Sequence, residues 1–322
     1  MNPNSQKMIA CLARAAAAAA FFAVQTFLAL QTAAYAQVAP PALFVAPEIT
    51  QVAAPTAAPA AMTAVLAPGM RPARSDVTKP AALPPIACSA PAEFSRFDRP
   101  LLRTMRRLAS GEPLTIVAIG SSSTAGAGAS SPAATYPSRL AVQLQQRFPG
   151  HDITVLNRGV NGEETDDMMA RFPADVMAEH PQLVLWQVGT NSVLHDHPLN
   201  PHSVQLREGI EELKAADADV VLIDPQFSPA VIAKAETPGM VEQIEAAAKE
   251  ENVDLFRRFA VMRNWYEVQH LAFDVFVSPD QLHMNDWSYA CAAKLLGAAI
   301  SEAATRPITS AAAPRAPATN SP

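Results

Sequence analysis

The chain has 322 residues, 49% of them hydrophobic and only 17% charged, with a formal charge of −6. That balance leaves no basic footprint for nucleic acid and no Lys/Arg run to hold the chain on an anionic membrane. Three cysteines exclude a disulfide-rich scaffold and a four-cysteine zinc site.

The 29 prolines are unevenly placed: 11 lie between Pro40 and Pro91 and four between Pro307 and Pro322. What remains, residues 93–306, is about 210 residues, enough for one domain with a substantial core. At the N-terminus Lys7 and Arg14 precede an Ala/Phe/Leu-rich stretch from Ala15 to about Leu30. Ala34-Tyr35-Ala36 then supplies small residues for cleavage, so residues 1–36 read as an export signal, with Gln37 the first mature residue. Gln25 and Gln31 interrupt the apolar run, which is short for a membrane span. The expectation is a periplasmic or extracellular protein with no stable membrane insertion after cleavage. Residues 37–92 are Ala/Pro-rich. Proline blocks helix and sheet ladders, and alanine buries too little area to offset ordering entropy. This segment and residues 307–322 read as a disordered spacer and tail. Cys88 and Cys291 either bridge the start of the domain to its last helix or stay as two thiols, since sequence sets no geometry.

Between them, strands and helices alternate. Helical spacing is expected over 97–110, 136–148, 165–179 (with a break at Pro173), 204–216, 238–251 and 287–304. Short apolar runs at 114–119, 152–156, 182–188, 219–223 and 253–256 read as strands. This pattern predicts an α/β fold: a doubly wound, five-stranded parallel sheet covered on both faces in three α/β/α layers. The chemistry of such sheets lies beyond the carboxyl ends of the strands.

Four polar clusters fall there. Gly120-Ser121-Ser122-Ser123-Thr124-Ala125-Gly126 follows the first strand, where a serine at a helix N-terminus can sit among backbone N–H groups. No Lys-Ser/Thr ends this loop, which argues against a phosphate-binding loop. Asn157 to Gly162 follows the second strand and Gly189-Thr190-Asn191-Ser192 the third. Asp280-Gln281-Leu282-His283 precedes the last helix, with the carboxylate able to orient the imidazole.

These four blocks in this order resemble the SGNH hydrolase superfamily, the GDSL-type esterases and lipases, over about residues 113–302. The resemblance implies a flavodoxin-like sandwich and a serine esterase that needs no cofactor. It makes Ser122 the nucleophile, His283 the base and Asp280 its partner. The oxyanion hole would be the backbone N–H groups of Ser122 and Gly162 and the Asn191 side-chain amide. The family's Asp before the nucleophile is Ser121 here, and its Asp after the block III Asn is Ser192. Three serines in a row leave Ser121 and Ser123 as alternatives to Ser122. The function implied is hydrolysis of short acyl esters, acetyl above all, on a small ester or an O-acylated glycan. A cell-surface polysaccharide O-acyltransferase and a weakened binding module are the competing readings.

His195, His197 and His202 look faintly like a metal cluster, but no further ligand spacing supports one, and no metal is expected. Arg158 and Gln226 lie in crevice loops as substrate-contact candidates. Trp186 reads as strand core, and Phe273, Val275 and Phe276 either line an acyl pocket or belong to the core.

Overall fold

The computed structural model describes residues 86–307; the expected export signal, the spacer through residue 85 and the tail from residue 308 lie outside them. Five strands form one sheet: β1 Leu114–Gly120, β2 Ile153–Gly159, β3 Leu183–Gln187, β4 Asp219–Ile223 and β5 Asp254–Phe256. Their order is β2-β1-β3-β4-β5 and every pairing is parallel.

The strand residues sort by parity. Ile116 and Ala118 of β1, Leu183 and Leu185 of β3, and Val221 and Ile223 of β4 enter one core. Val117 and Ile119, Val184 and Trp186, and Val220 and Leu222 enter the other. This is the period-2 alternation of a strand buried on both faces, and it explains the nearly continuous apolar runs. Helices α1 Leu102–Ser110, α2 Tyr136–Arg147, α6 Arg258–Glu267 and α7 Asp286–Thr305 cover the first face. Helices α3 Thr165–Asp175, α4 Leu199–Ala215 and α5 Thr237–Glu250 cover the second. The architecture is therefore an α/β/α sandwich with a parallel sheet, as expected from the sequence. Trp186 is core, packed edge-on against Phe172.

Several boundaries differ from the sequence expectation. Helix α1 begins at Leu102 rather than at residue 97, because Pro100 disfavours helical geometry in the residue before it. Strand β2 continues to Gly159, paired with Gly120. Helix α3 passes through Pro173 and stops at Asp175, followed by a 3₁₀ turn, Met177–Glu179. Helix α6 was not anticipated. It buries Arg258, Val261, Met262 and Trp265.

The folded chain also takes in residues ahead of Glu93, where the sequence reading placed the boundary. Cys88 is bonded to Cys291 of α7, with a Cα–Cα separation of 5.4 Å. The Trp265 indole donates to the Ser89 carbonyl at 2.9 Å, and Trp287 donates to that of Ile86 at 3.2 Å. Among the described residues no helix is long and apolar enough to cross a membrane.

Candidate active site

Strand order reverses at β1 and β3, so the loops leaving these two neighbours open a crevice at their carboxyl ends. The chain leaves β1 through Ser121 into a short helical turn, Ser122–Ala125. That turn lies against β2 so closely that a Cβ on Gly159 would overlap the Thr124–Ala125 peptide; only glycine permits the approach.

The three consecutive serines have different surroundings. Ser121 is buried, and both its N–H and its hydroxyl donate to Gln187 Oε1 at 3.0 Å. Ser123 is fully buried and its hydroxyl donates to Gln226 Oε1. Ser122 Oγ lies 2.8 Å from His283 Nε2. On the far side of the ring, His283 Nδ1 lies 2.6 Å from Asp280 Oδ2. Of the three serines, Ser122 is the one hydrogen-bonded to His283.

The Asp280 loop is built to hold this geometry. Asp280 Oδ1 accepts from the backbone N–H groups of Leu282 and His283. Ser278 N–H donates to the His283 carbonyl, and Val277 and Met284 form an antiparallel bridge around the loop. Asn285 then caps α7 by accepting from the N–H groups of Trp287 and Ser288. Burial alone would raise the Asp280 carboxyl. The hydrogen bonds from the His283 ring and the two backbone N–H groups outweigh it and hold the group below the usual carboxylate range. An ionised carboxylate only accepts, so Nδ1 of His283 carries the proton and Nε2 presents its lone pair to the Ser122 hydroxyl.

Gly162 sits at φ +83°, a left-handed turn suited to glycine, at the tip of the loop after β2. Asn191 is the second residue of a short helical turn, Thr190–Leu194, after β3. One N–H of the Asn191 amide donates to the Glu163 carbonyl at 2.7 Å. This bond ties the two loops together and leaves the second amide N–H. The loop after β2 is also fastened to the first block, with Val160 N–H donating to the Gly120 carbonyl.

Gln226 was a substrate-contact candidate, but the structure buries it completely. Its Oε1 accepts from Ser123, from Thr190 at 3.1 Å and from Arg258 Nη2 at 3.0 Å. Its Nε2 donates to the Leu282 carbonyl. Arg158 is engaged with Glu179 at 2.6 Å. Phe276 is core, whereas Phe273 stacks on Tyr266 with ring centroids 4.3 Å apart and also packs on Phe227. Ser192, in the place of the family's Asp, donates to Glu164 at 2.9 Å. Glu164 in turn holds His195 and His197. Sequence reasoning missed Gln187, Glu164 and Arg258. All three act through partners in other loops, which no local motif announces.

Comparison with known proteins finds relatives among esterases. The chain is 30% identical over 95 residues to an arylesterase of Vibrio mimicus, covering 30% of this chain and 46% of that protein. It is 28% identical over 115 residues to an acetylxylan esterase of Geobacillus stearothermophilus, covering 36% of this chain and 51% of the relative. These matches span about half the length of the relatives. A crystal structure of a two-domain esterase active on acetylated mannans shares the fold at TM-score 0.58 and 21% identity, over 70% of this chain and 60% of that one. The sequence model of the non-GDSL lipase-like family matches residues 87–306. The chain belongs to the non-GDSL lipase-like family.

Proposed function

We propose that this chain is a serine esterase that removes short acyl groups, acetyl above all, from O-acylated glycans outside the cytoplasm. The observation that carries the reading is the continuous Ser122–His283–Asp280 relay, with contacts of 2.8 and 2.6 Å. The names of the relatives, an arylesterase and an acetylxylan esterase, support the reaction class and suggest the glycan.

In this mechanism His283 Nε2 takes the Ser122 proton as Oγ attacks the ester carbonyl. Asp280 steadies the imidazolium that forms. Negative charge then develops on the former carbonyl oxygen. The N–H groups of Ser122 and Gly162 and the free N–H of the Asn191 amide are its donors, each contributing about 10²–10³ in rate. Collapse expels the alcohol, which receives the proton from His283. Water, deprotonated by the same ring, then releases the acyl group from Ser122. Asp280 keeps 47% of its side chain exposed, so water reaches the edge of the relay.

Action outside the cytoplasm is supported by the signal-like residues 1–36 and by the Cys88–Cys291 bridge, since such bonds persist in oxidising compartments. The test is turnover of p-nitrophenyl acetate, butyrate and octanoate, together with acetate release from acetylated xylan and mannan. Activity falling with acyl length and lost in Ser122→Ala is expected. A folded protein inert on every acetyl ester would sink the reading. Acyl transfer to an added sugar in preference to water would replace hydrolase by transferase. The mass of the mature N-terminus in fractionated cells tests export, with Gln37 expected.

A further inference from the structure

Among the described residues, one group of metal-ligating side chains lies outside the relay: Glu164, His195 and His197. We propose that these three residues bind a divalent transition-metal ion, with zinc the fitting probe, at the rim of the crevice. Their candidate ligand atoms all lie within 4.8 Å of one another. Tetrahedral zinc with bonds of about 2.0–2.1 Å places its ligand atoms about 3.3 Å apart. The group is therefore one small contraction from a coordination shell.

The backbone places the ligands independently of any ion. Glu164 precedes α3, and its N–H is held by Asp167 at 3.0 Å. The preceding carbonyl, that of Glu163, is held by Asn191. His195 ends the Thr190–Leu194 turn, its N–H donating to the Asn191 carbonyl. Asp196 then adopts φ +57°, and His197 N–H returns to the Ser192 carbonyl. This reversal sets the two imidazoles side by side, with centroids 5.6 Å apart. Asp196 itself pairs with Lys234 at 2.6 Å.

The side chains converge on one carboxylate. His195 Nδ1 lies 2.7 Å from Glu164 Oε1, and His197 Nδ1 lies 2.9 Å from Oε2, which also accepts from Ser192. One carboxylate between two imidazoles, both more than half exposed, is a weak ion-pair device. Two imidazoles and one carboxylate are, however, a sufficient donor set for zinc. For ligation each Nδ1 gives up its proton, and exposure lets water solvate the proton that Nε2 then carries.

A second observation points to the same place. His202 is 3% exposed, and its Nε2 has no hydrogen-bond partner. Its Nδ1 faces Gln243 Oε1 at 3.0 Å, an acceptor, so Nδ1 holds the proton and Nε2 keeps a lone pair. Burial lowers its pKa. His202 lines a cavity of about 300 Å³ together with Glu164, Ser192 and His197. The His202 ring therefore stands beside the same space, a third imidazole next to the two that converge on Glu164. An ion held there would cross-link the loop after β2 to the loop after β3.

The test is calorimetric titration of zinc chloride into the full chain, prepared without a histidine tag and stripped with a chelator. One ion per chain with a Kd below about 100 µM is expected. The double variant His195→Ala/His197→Ala is expected to weaken binding by more than about tenfold, and Glu164→Gln likewise. Zinc is also expected to raise the melting temperature of the wild type and not of the double variant. Should the double variant fail to fold, His197→Gln alone, at a half-exposed site, supplies the comparison. No binding by the wild type, or equal binding by wild type and variants, overturns the proposal.

Discussion

The side-chain amide of Gln226 donates to the carbonyl of Leu282, the residue immediately before His283. The same amide oxygen accepts from Ser123, immediately after Ser122, and from Arg258 Nη2. One buried glutamine thus links the serine turn, the histidine loop and a buried guanidinium. Gln226→Ala leaves several buried polar groups without partners, at roughly 1–3 kcal/mol each. The expected outcome is a loss of stability in urea unfolding together with a fall in kcat that exceeds any change in KM, because the glutamine positions the relay without touching substrate. A variant that loses stability but keeps its kcat would limit Gln226 to a structural role.

Within the relay, the variants are expected to rank by what each atom does. Ser122→Ala and His283→Ala remove the proposed attacking oxygen or base, and each is expected to lower kcat by at least about 10⁴-fold. Asp280→Asn keeps the shape but offers the ring an N–H where it needs an acceptor. That favours the wrong tautomer, with a loss of about 10³–10⁴-fold. Since hydrogen bonds hold the Asp280 carboxyl below its usual range, the group stays charged throughout the neutral and mildly acid range. Any decline in activity between pH 7 and 5 should therefore not come from Asp280. A profile that follows protonation of Asp280 in that range would contradict the assignment.

Much of this was readable in the sequence, for identifiable reasons. Strands β1, β3 and β4 are buried on both faces, so each is a short apolar run, and each stops at a residue that breaks the ladder: Gly120, Gly189 or Asp224-Pro225. The Asp280–His283 pair was visible because both partners share one loop. Helix α6 was hidden because Arg257, Arg258 and Arg263 mask the apolar set Val261, Met262 and Trp265, and Arg258 is itself buried. Gln187 and Glu164 were hidden, and Gln226 was noted only as a substrate contact, for another reason. Each is an ordinary polar residue whose meaning depends on side chains 28 to 103 positions away. The Glu164–His195–His197 group shows the same limit: the histidines were noted, but the carboxylate that joins them comes from another loop.

The Cys88–Cys291 bond closes a separation of 203 residues and pins the chain ahead of α1 onto the helix that follows the histidine loop. Long closures constrain the unfolded chain most, and removal of such a bond costs roughly 2–5 kcal/mol. Cys88→Ser/Cys291→Ser should therefore show a lower urea midpoint, and reducing agent should lower the wild type to the same level. Matching midpoints for wild type and variant under non-reducing conditions would contradict this.

Asp224 gives a separate signature in the pH dependence of stability. It ends β4, fully buried; burial pushes its carboxyl up to about 7, against the lowering pull of the Phe259 N–H and of Arg258 and Arg257. In the unfolded chain the group titrates near 3.9. Between these values the folded state holds the proton more tightly, so this contribution is fully present below about pH 4 and is lost as pH rises through 7. Asp224→Asn keeps an acceptor for the Phe259 N–H, which lies 2.9 Å from Oδ1, and has no proton to lose. The variant should therefore gain on the wild type as pH rises from 5 to 8. Carboxylates held low, such as Asp280 and Glu164, do not interfere, because they titrate below this window in both proteins. Urea midpoints of the two proteins at pH 5 and pH 8 decide the matter. A variant that instead falls further behind at pH 8 would mean that the ionised Asp224, paired electrostatically with the buried Arg258, is the stabilising form.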